Sequence, residues 1–217
     1  MLILDVKDFD AAIFDLDGTM VDNTAIHKRA WQEYLANRGI HITDTEFFRR
    51  IFGKHNRQII KDFFGDVSDE SEDKITREKE TLYRGLYEGS VAEVAGLSAL
   101  LARLEELNKK LAVATSAPKA NCDFILGALG LESRFSVVVG ADDIQHPKPA
   151  PDIYIETAGR LGVTPQRCLV FEDSPAGVEA GVAAGAKVIA ILTGHTEEQL
   201  PNAFSHVHSF DEIQINE

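Results

Sequence analysis

The chain has 217 residues, of which 44% are hydrophobic and 26% charged, values that are ordinary for a globular protein with a substantial core. Its net charge of −13 argues against nucleic acid or an anionic membrane as a partner, because such binding neutralises phosphates with Lys and Arg. No apolar stretch approaches the ~18 residues of a membrane span, and residues 1–10 lack the basic region and apolar core of a signal peptide. We therefore expect a cytoplasmic protein.

The first predicted strand, over 10–15, leads into the most informative motif of the chain. That motif reads Asp15-Leu16-Asp17-Gly18-Thr19. Because successive side chains of an extended chain alternate in direction, Asp15 and Asp17 face the same way while Leu16 turns into the protein. Gly18 permits a sharp exit turn. Paired carboxylates here suit a reaction in which one is a nucleophile or metal ligand and the other carries a proton.

The segment 24–90 shows only helical patterns. Apolar residues recur at helical spacing from 24 to 38, and more helices are predicted over 44–51, 55–64 and 69–88. The segment holds 12 basic and 12 acidic residues, which leaves 10 basic and 23 acidic residues elsewhere. A neutral helical segment in an acidic chain indicates either a solvated surface or cations that face an anionic substrate.

After residue 90 the predicted helices and strands alternate. The helices fall at about 96–108, 118–129, 150–161 and 175–185, and the strands at 111–115, 135–139, 167–172 and 187–192. This alternation predicts an α/β protein with a parallel, doubly wound sheet. Ligands of such sheets bind at the carboxyl ends of the strands. Polar residues fall at three of those ends, which predicts one site: Asp15, Asp17, Thr115, Glu172 and Asp173.

The motifs resemble those of the haloacid dehalogenase superfamily in kind and in order. Most members transfer phosphoryl groups through an aspartyl-phosphate, and their motifs are a DxDGT stretch, a Ser or Thr, a Lys and an acidic pair. The matching residues here are Asp15 and Asp17, Thr115, Lys148, and Glu172 with Asp173. The resemblance implies a Rossmann-like core domain over 1–22 and 91–217, with an inserted all-helical cap domain over 23–90.

The resemblance also implies the roles of the catalytic residues. Asp15 would attack the phosphoryl group, and Asp17 would give a proton to the leaving oxygen and later take one from water. Thr115 and the main-chain amide of Ser116 would bind phosphate oxygens. Lys148 would offset negative charge, although a lysine between prolines is by itself usually only solubilising.

A magnesium ion is the cofactor that the resemblance implies. A carboxylate that attacks an anionic phosphate meets repulsion, and Mg²⁺ prefers the oxygen ligands present here. Its ligands would be Asp15, the main-chain carbonyl of Asp17, and Asp173. Glu172 would act through water or as an alternative ligand.

The predicted cap is most similar to that of the β-phosphoglucomutase-like branch. His27 lies where that branch has a histidine near the hinge, although a histidine in a first helical turn is by itself usually a packing residue. Gly53 fits the substrate-facing loop, and Lys79 fits the cap lysine. Asn56 stands where the mutase has a phosphate-binding arginine, and Arg57 lies one residue later. We expect all five to contact substrate, and the missing arginine disfavours mutase activity.

The sequence thus predicts a phosphoric monoester hydrolase: a Mg²⁺-dependent, monomeric phosphatase for small phosphorylated metabolites, chiefly sugar phosphates. One alternative is a β-phosphoglucomutase, which interconverts β-glucose 1-phosphate and glucose 6-phosphate. Another is a catalytically silent protein that senses a phosphate ligand. Cys122 and Cys168 have no metal-ligand spacing and are expected to be buried thiols.

Overall fold

The computed structural model describes residues 1–216, and the chain forms two compact units. The core unit consists of residues 1–22 together with the chain from 92 onward, and the helical unit consists of 23–91. We propose that these units are the core and cap domains expected from the sequence. Among the described residues, no helix combines the length and the apolar character needed to cross a membrane.

A parallel sheet of six strands forms the centre of the core unit within residues 1–216. Its strands are β2 (Ala11–Phe14), β3 (Lys110–Ala114), β4 (Val137–Val139), β5 (Cys168–Glu172), β6 (Lys187–Ile191) and β7 (Ser205–Val207), in the spatial order β4-β3-β2-β5-β6-β7. A second, two-stranded parallel sheet pairs β1 (Leu2–Asp5) with β8 (Ile213–Asn216). The predicted α/β fold with a doubly wound parallel sheet is confirmed.

The central strands β2 and β5 are apolar and buried along nearly their whole length, as strands covered on both faces must be. Alternation divides their side chains between the two faces. Ile13 and Val170 belong to a core cluster that includes residues of the helices α7 (Asp152–Leu161) and α8 (Pro175–Ala184). On the other face, the ring of Phe14 stacks on that of Phe171. The unit also contains α5 (Leu97–Glu106) and α6 (Lys119–Leu129).

The helical unit is built from helices alone within residues 23–91. They are α1 (Thr24–Ala36), α2 (Asp44–Arg50), α3 (Asn56–Phe64) and α4 (Asp69–Tyr87). Thr43 and Glu46 form a capping box that fixes the start of α2, and Ser68 caps α4. The core of this unit is aromatic and aliphatic and includes Trp31 and Phe47.

The strands that the sequence did not predict lie near the two ends of the chain. β1 and β8 each have one buried residue in four, Leu4 and Ile215, so neither shows the continuous apolar run that marked the central strands. They are stabilised by pairing with each other over a long sequence separation, which no local pattern reveals. β7 lies in the C-terminal segment, for which the sequence predicted no strand, and the predicted strand over 135–139 begins two residues before the observed β4.

Candidate active site

The carboxyl ends of three neighbouring strands bring the predicted core residues to one edge of the sheet. Phe14 of β2 lies in register with Val113 of β3 and with Phe171 of β5. The chain continues from these positions into the polar residues Asp15, Thr115, Glu172 and Asp173. Because the strands are parallel and in register, these side chains share one edge.

The turn after β2 presents its two aspartates differently. Leu16 is completely buried, Asp15 is nearly so, and Asp17 is half-buried. Gly18 has φ +82°, and a Cβ atom at this position would lie 2.1 Å from Oδ2 of Asp173. Glycine is therefore required here both for the left-handed backbone and for the close approach of the Asp173 carboxylate.

Lys148 connects two of the buried carboxylates. Its ammonium donates to Oδ1 of Asp15 at 2.7 Å, to Oε1 of Glu172 at 2.6 Å and to the main-chain oxygen of Ala114 at 3.3 Å. Although burial opposes ionisation, these two carboxylates raise the pKa of Lys148 well above its ordinary value. The lysine is buried and charged, which is unlike the exposed lysine that its proline-rich surroundings would otherwise suggest.

Glu172 is engaged on both oxygens. Besides Lys148, Oε1 accepts from the Tyr154 hydroxyl at 2.9 Å. Oε2 accepts from the main-chain amides of Asp173 at 2.9 Å and Ser174 at 3.0 Å, and from the Ser174 hydroxyl at 3.0 Å. Burial raises the pKa of Glu172, but Lys148 and these donors outweigh it and hold the pKa below its ordinary value. These contacts favour a positioning role for Glu172 over direct metal ligation.

Ser174 also begins α8, as Ser-Pro sequences do. Its hydroxyl oxygen accepts from the main-chain amide of Gly177 at 3.1 Å, and Pro175 occupies the first helical position. A Cβ atom at Gly177 would lie 1.7 Å from Oε1 of Glu172, so the helix approaches that carboxylate too closely for any other residue. The carboxylate thereby sits at a helix N-terminus, where negative charge is stabilised.

Asp15 and Asp173 are the carboxylates whose charge is least compensated. Burial raises the pKa of Asp15 to about 8, despite Lys148. Burial, with the neighbouring charges of Glu172 and Asp15, raises the pKa of Asp173 well above its ordinary value. The Thr19 hydroxyl donates to Oδ1 of Asp173 at 3.2 Å. Two buried carboxylates that resist ionisation form a site that a cation would stabilise.

The donor set fits a hard divalent cation. Asp15, Glu172 and Asp173 each offer an oxygen, and these oxygens lie within 4.8 Å of one another. Within residues 1–216, Lys148 is the cation seen in contact with this group, so the cluster would carry surplus negative charge with all three carboxylates ionised. Oxygen donors with a surplus of negative charge match Mg²⁺, which commonly binds one or two carboxylates and keeps several waters.

Thr115 ends β3 at the same edge and is buried. Its hydroxyl oxygen accepts from the main-chain amide of Ala117 at 3.0 Å, which orients the side chain. Ser116 follows at a half-buried position. The arrangement allows a hydroxyl and a main-chain amide to donate to a phosphate oxygen, as the sequence predicts.

Sequence reasoning missed three residues that support this edge. Thr19 holds Asp173, Tyr154 holds Glu172, and the Thr193 hydroxyl donates to the main-chain oxygen of Gly18. Thr19 was visible inside the DxDGT motif. Tyr154 and Thr193 lie on other elements, and their contacts depend on packing that the sequence does not display.

In the helical unit, several predicted substrate-binding residues form one polar cluster. The buried Lys79 ammonium donates to Nδ1 of His27 at 3.0 Å and to Oε1 of Glu80 at 3.0 Å. The same Glu80 oxygen accepts from the Asn56 side-chain amide at 2.8 Å. The His27 ring stacks on Tyr83 with centroids 4.1 Å apart. Glu80, which the sequence did not single out, is therefore the residue that joins Asn56 to Lys79.

Arg57 and Gly53 lie outside this cluster of contacts. The exposed Arg57 guanidinium pairs with Asp69 at 3.3 Å and with Glu72 at 3.2 Å, at the start of α4. Gly53 has φ +72° in the turn between α2 and α3. The structure thus groups His27, Asn56 and Lys79, and it gives Arg57 different partners.

Comparisons with known proteins agree on one family. The model of the family described as haloacid dehalogenase-like hydrolase matches residues 12–191. Hexitol phosphatase A of Escherichia coli is 32% identical over 211 residues, which cover 94% of this chain and 92% of that protein. A fructose-1-phosphate phosphatase of the same organism is 32% identical over 180 residues, which cover 82% of this chain and 94% of that protein.

A solved structure extends the similarity to the fold. A β-phosphoglucomutase from Clostridium difficile superposes with a TM-score of 0.83 at 27% identity, covering 95% of this chain and 93% of that one. The relatives therefore include both enzymes that release phosphate and an enzyme named for moving it within a sugar.

Proposed function

The chain belongs to the haloacid dehalogenase-like hydrolases and is a phosphoric monoester hydrolase, and we propose that it hydrolyses small phosphorylated metabolites, chiefly sugar phosphates, through an aspartyl-phosphate. One observation carries the proposal. Asp15 is a buried carboxylate at the carboxyl end of β2, bonded to Lys148 and beside Asp173. An ion pair serving stability alone would not require a further buried carboxylate, Asp173, whose charge is so poorly compensated.

Asp15 is proposed as the nucleophile. Its oxygen forms a bond to phosphorus while the ester P–O bond breaks, and Asp17 supplies the proton that the leaving oxygen needs. Water then attacks the phosphorus, gives a proton to Asp17, and the bond between phosphorus and Asp15 breaks to release inorganic phosphate. At the end of the cycle Asp15 is again a free carboxylate and Asp17 is again protonated.

The residues around Asp15 compensate the negative charge of the nucleophile and of the phosphoryl group. A bound Mg²⁺ would supply charge neutralisation between the nucleophile and the phosphoryl oxygens, and we propose that Asp15, the Asp17 carbonyl and Asp173 hold it. Lys148 stabilises negative charge on Asp15 and on the transferring group. Thr115 and the Ser116 amide donate to phosphoryl oxygens. Glu172 shares the Lys148 ammonium with Asp15 through a 2.6 Å contact.

Substrate preference is assigned to the helical unit, and its contacts favour hydrolysis over mutase chemistry. A mutase must hold a second phosphate. Asn56 replaces the expected arginine and is bonded to Glu80, while Arg57 pairs with Asp69 and Glu72. Losing one charged contact to a phosphate costs about 1.5–3 kcal/mol, or roughly 10–100-fold. His27, Lys79 and Gly53 are proposed to contact the remainder of the substrate.

A panel of phosphorylated metabolites tests the proposal. We expect release of inorganic phosphate from hexose and hexitol monophosphates in the presence of Mg²⁺, and none after chelation of the metal. Absence of phosphate release from every sugar phosphate would reject the proposed substrate class. A binding protein without catalysis would show saturable ligand binding and no turnover.

The mutase alternative needs its own measurement. β-Glucose 1-phosphate should be incubated with a trace of glucose 1,6-bisphosphate and followed by phosphorus NMR. We expect free phosphate to accumulate. Rapid formation of glucose 6-phosphate with little free phosphate would identify the chain as a mutase.

A further inference from the structure

Tyr154 is a buried phenol beside the catalytic lysine, and the roles proposed above leave its hydroxyl unexplained. It lies on α7, six residues after Lys148, and is completely buried. Lys148 Nζ lies 5.1 Å from the centre of its ring, a contact that a phenylalanine would also make. What tyrosine adds is the hydrogen bond of 2.9 Å from its hydroxyl to Oε1 of Glu172.

The acceptor of that hydrogen bond, Oε1 of Glu172, competes with Asp15 for the Lys148 ammonium. The ammonium lies 2.6 Å from Oε1 of Glu172 and 2.7 Å from Oδ1 of Asp15, so it is shared between two carboxylates. A donor on Oε1 partly offsets the negative charge of that oxygen and weakens its attraction for the ammonium. The Asp15 oxygen bonded to Lys148 shows no hydrogen bond with Tyr154, so of the two competing carboxylates the hydroxyl acts on Glu172, and it also interacts with the ammonium itself.

We propose that the Tyr154 hydroxyl is a positioning group that keeps the Lys148 ammonium on Asp15 by weakening Glu172 as its competing partner. The inference rests on the phosphatase mechanism proposed above, in which Lys148 neutralises charge on Asp15 and on the transferring phosphoryl group. Without the hydroxyl, the ammonium moves toward Glu172, and the charge that develops during transfer is less well compensated.

A purely structural role of the hydroxyl would lower turnover and Mg²⁺ affinity together, whereas a positioning role lowers turnover alone. In Tyr154→Phe the ring and its packing remain, so the fold is retained. Turnover falls because Lys148 is displaced from Asp15, and small displacements of catalytic groups are costly. Affinity for Mg²⁺ does not fall, because moving a positive charge away from Asp15 removes repulsion from a cation bound there.

The experiment compares Tyr154→Phe with a matched control on the same helix. Thr157→Val also removes a buried hydroxyl from α7, but that hydroxyl donates to the main-chain oxygen of Ile153 at 2.6 Å. For each variant of the full chain we would measure kcat and KM at saturating Mg²⁺, and the Mg²⁺ dissociation constant by calorimetry without substrate. In Tyr154→Phe we expect kcat to fall about tenfold, with KM within about twofold and Mg²⁺ binding unchanged or tighter. Thr157→Val should keep kcat within about twofold.

Other results would overturn the inference. A kcat of Tyr154→Phe within about twofold of the parent shows that the hydroxyl does not position Lys148, and parallel losses of kcat and Mg²⁺ affinity show a structural role. If the parent releases no phosphate, the proposed function is wrong, and kinetics cannot test the role of Tyr154.

In that case the ¹⁵N signal of the Lys148 ammonium, assigned by its loss in Lys148→Met, tests whether Tyr154 positions Lys148. It should shift in Tyr154→Phe and not in Thr157→Val, and an unchanged signal rejects the proposal.

Discussion

The two units hold buried charges in opposite ways. In the core unit, Asp15, Glu172 and Asp173 share one neighbouring cation, Lys148, and two of the three carboxylates have strongly raised pKa values. In the helical unit, the buried Lys79 ammonium lies against the buried Glu80 carboxylate, and His27 and Asn56 bond to the same two groups. The first cluster holds three carboxylates around one lysine and is unbalanced without a further positive charge, whereas in the second a buried cation meets a buried carboxylate. Chemistry is therefore expected at the unbalanced cluster, which is suited to a cation and a reacting anion.

The largest expected effect comes from removing the proposed nucleophile. Asp15→Asn keeps the size of the side chain and removes the attacking carboxylate, so turnover should fall by about 10⁴-fold or more. Steady-state release of inorganic phosphate measures it. The control is Asp10→Asn, an exposed residue that pairs with Arg167 just before β2. Residual activity of Asp15→Asn within about tenfold of the parent would place the nucleophile elsewhere.

Breaking the buried pair of Lys79 and Glu80 should lower the stability of the protein. Lys79→Met removes the ammonium that the buried Glu80 carboxylate contacts at 3.0 Å, and breaking such a buried pair costs about 3–5 kcal/mol of the free energy of unfolding. Lys79→Met with Glu80→Leu removes both charges and should recover most of that loss. Urea unfolding measures both variants, and Lys74→Met, at an exposed position of the same helix, is the control. Additive losses in the double variant would show that the pair is not coupled.

The unbalanced cluster should make stability depend on pH and on metal. Because burial raises the folded pKa of Asp15 to about 8, well above its unfolded value, stability is fully present below about pH 4 and declines as pH rises toward 8. The metal-free protein should therefore lose a few kcal/mol across this range, and excess Mg²⁺ should raise Tm more at pH 8.5 than at pH 6. Thermal unfolding with and without Mg²⁺ checks this. The Tm of the Asp15→Asn variant should change less with pH than the Tm of the parent. An equal change of Tm with pH in both proteins would show that Asp15 is not the group whose pKa is raised.

The smallest effect is expected at Arg57. Its pairs with Asp69 and Glu72 are exposed, and such pairs contribute about 0–1 kcal/mol. Arg57→Ala should change the free energy of unfolding by less than about 1 kcal/mol and leave kcat/KM for monophosphates within about threefold. A loss above tenfold in kcat/KM, from the phosphate-release assay, would show that Arg57 contacts substrate.

The sequence predicted the sheet and the residues at its edge because both depend on local signals. Apolar runs marked the buried strands, and parallel strands bring their carboxyl ends to one edge, so Asp15, Thr115 and Asp173 could be placed near one another without coordinates. The hydrogen bonds were not predictable. That Glu172 accepts from Tyr154 depends on how α7 packs against the sheet, and that Asn56 bonds to Glu80 depends on how α3 packs against α4. Such contacts join residues that have no fixed spacing.

We propose that Asp15 carries the phosphoryl group during turnover. The most direct test is mass spectrometry of the phosphoenzyme, trapped by rapid acid quench or as its beryllofluoride mimic, with the modified peptide identified after digestion. We expect the modification on the peptide that contains Asp15, and none in Asp15→Asn. Label on Thr115, Ser116 or His27, with the Asp15 peptide unmodified, would contradict the account.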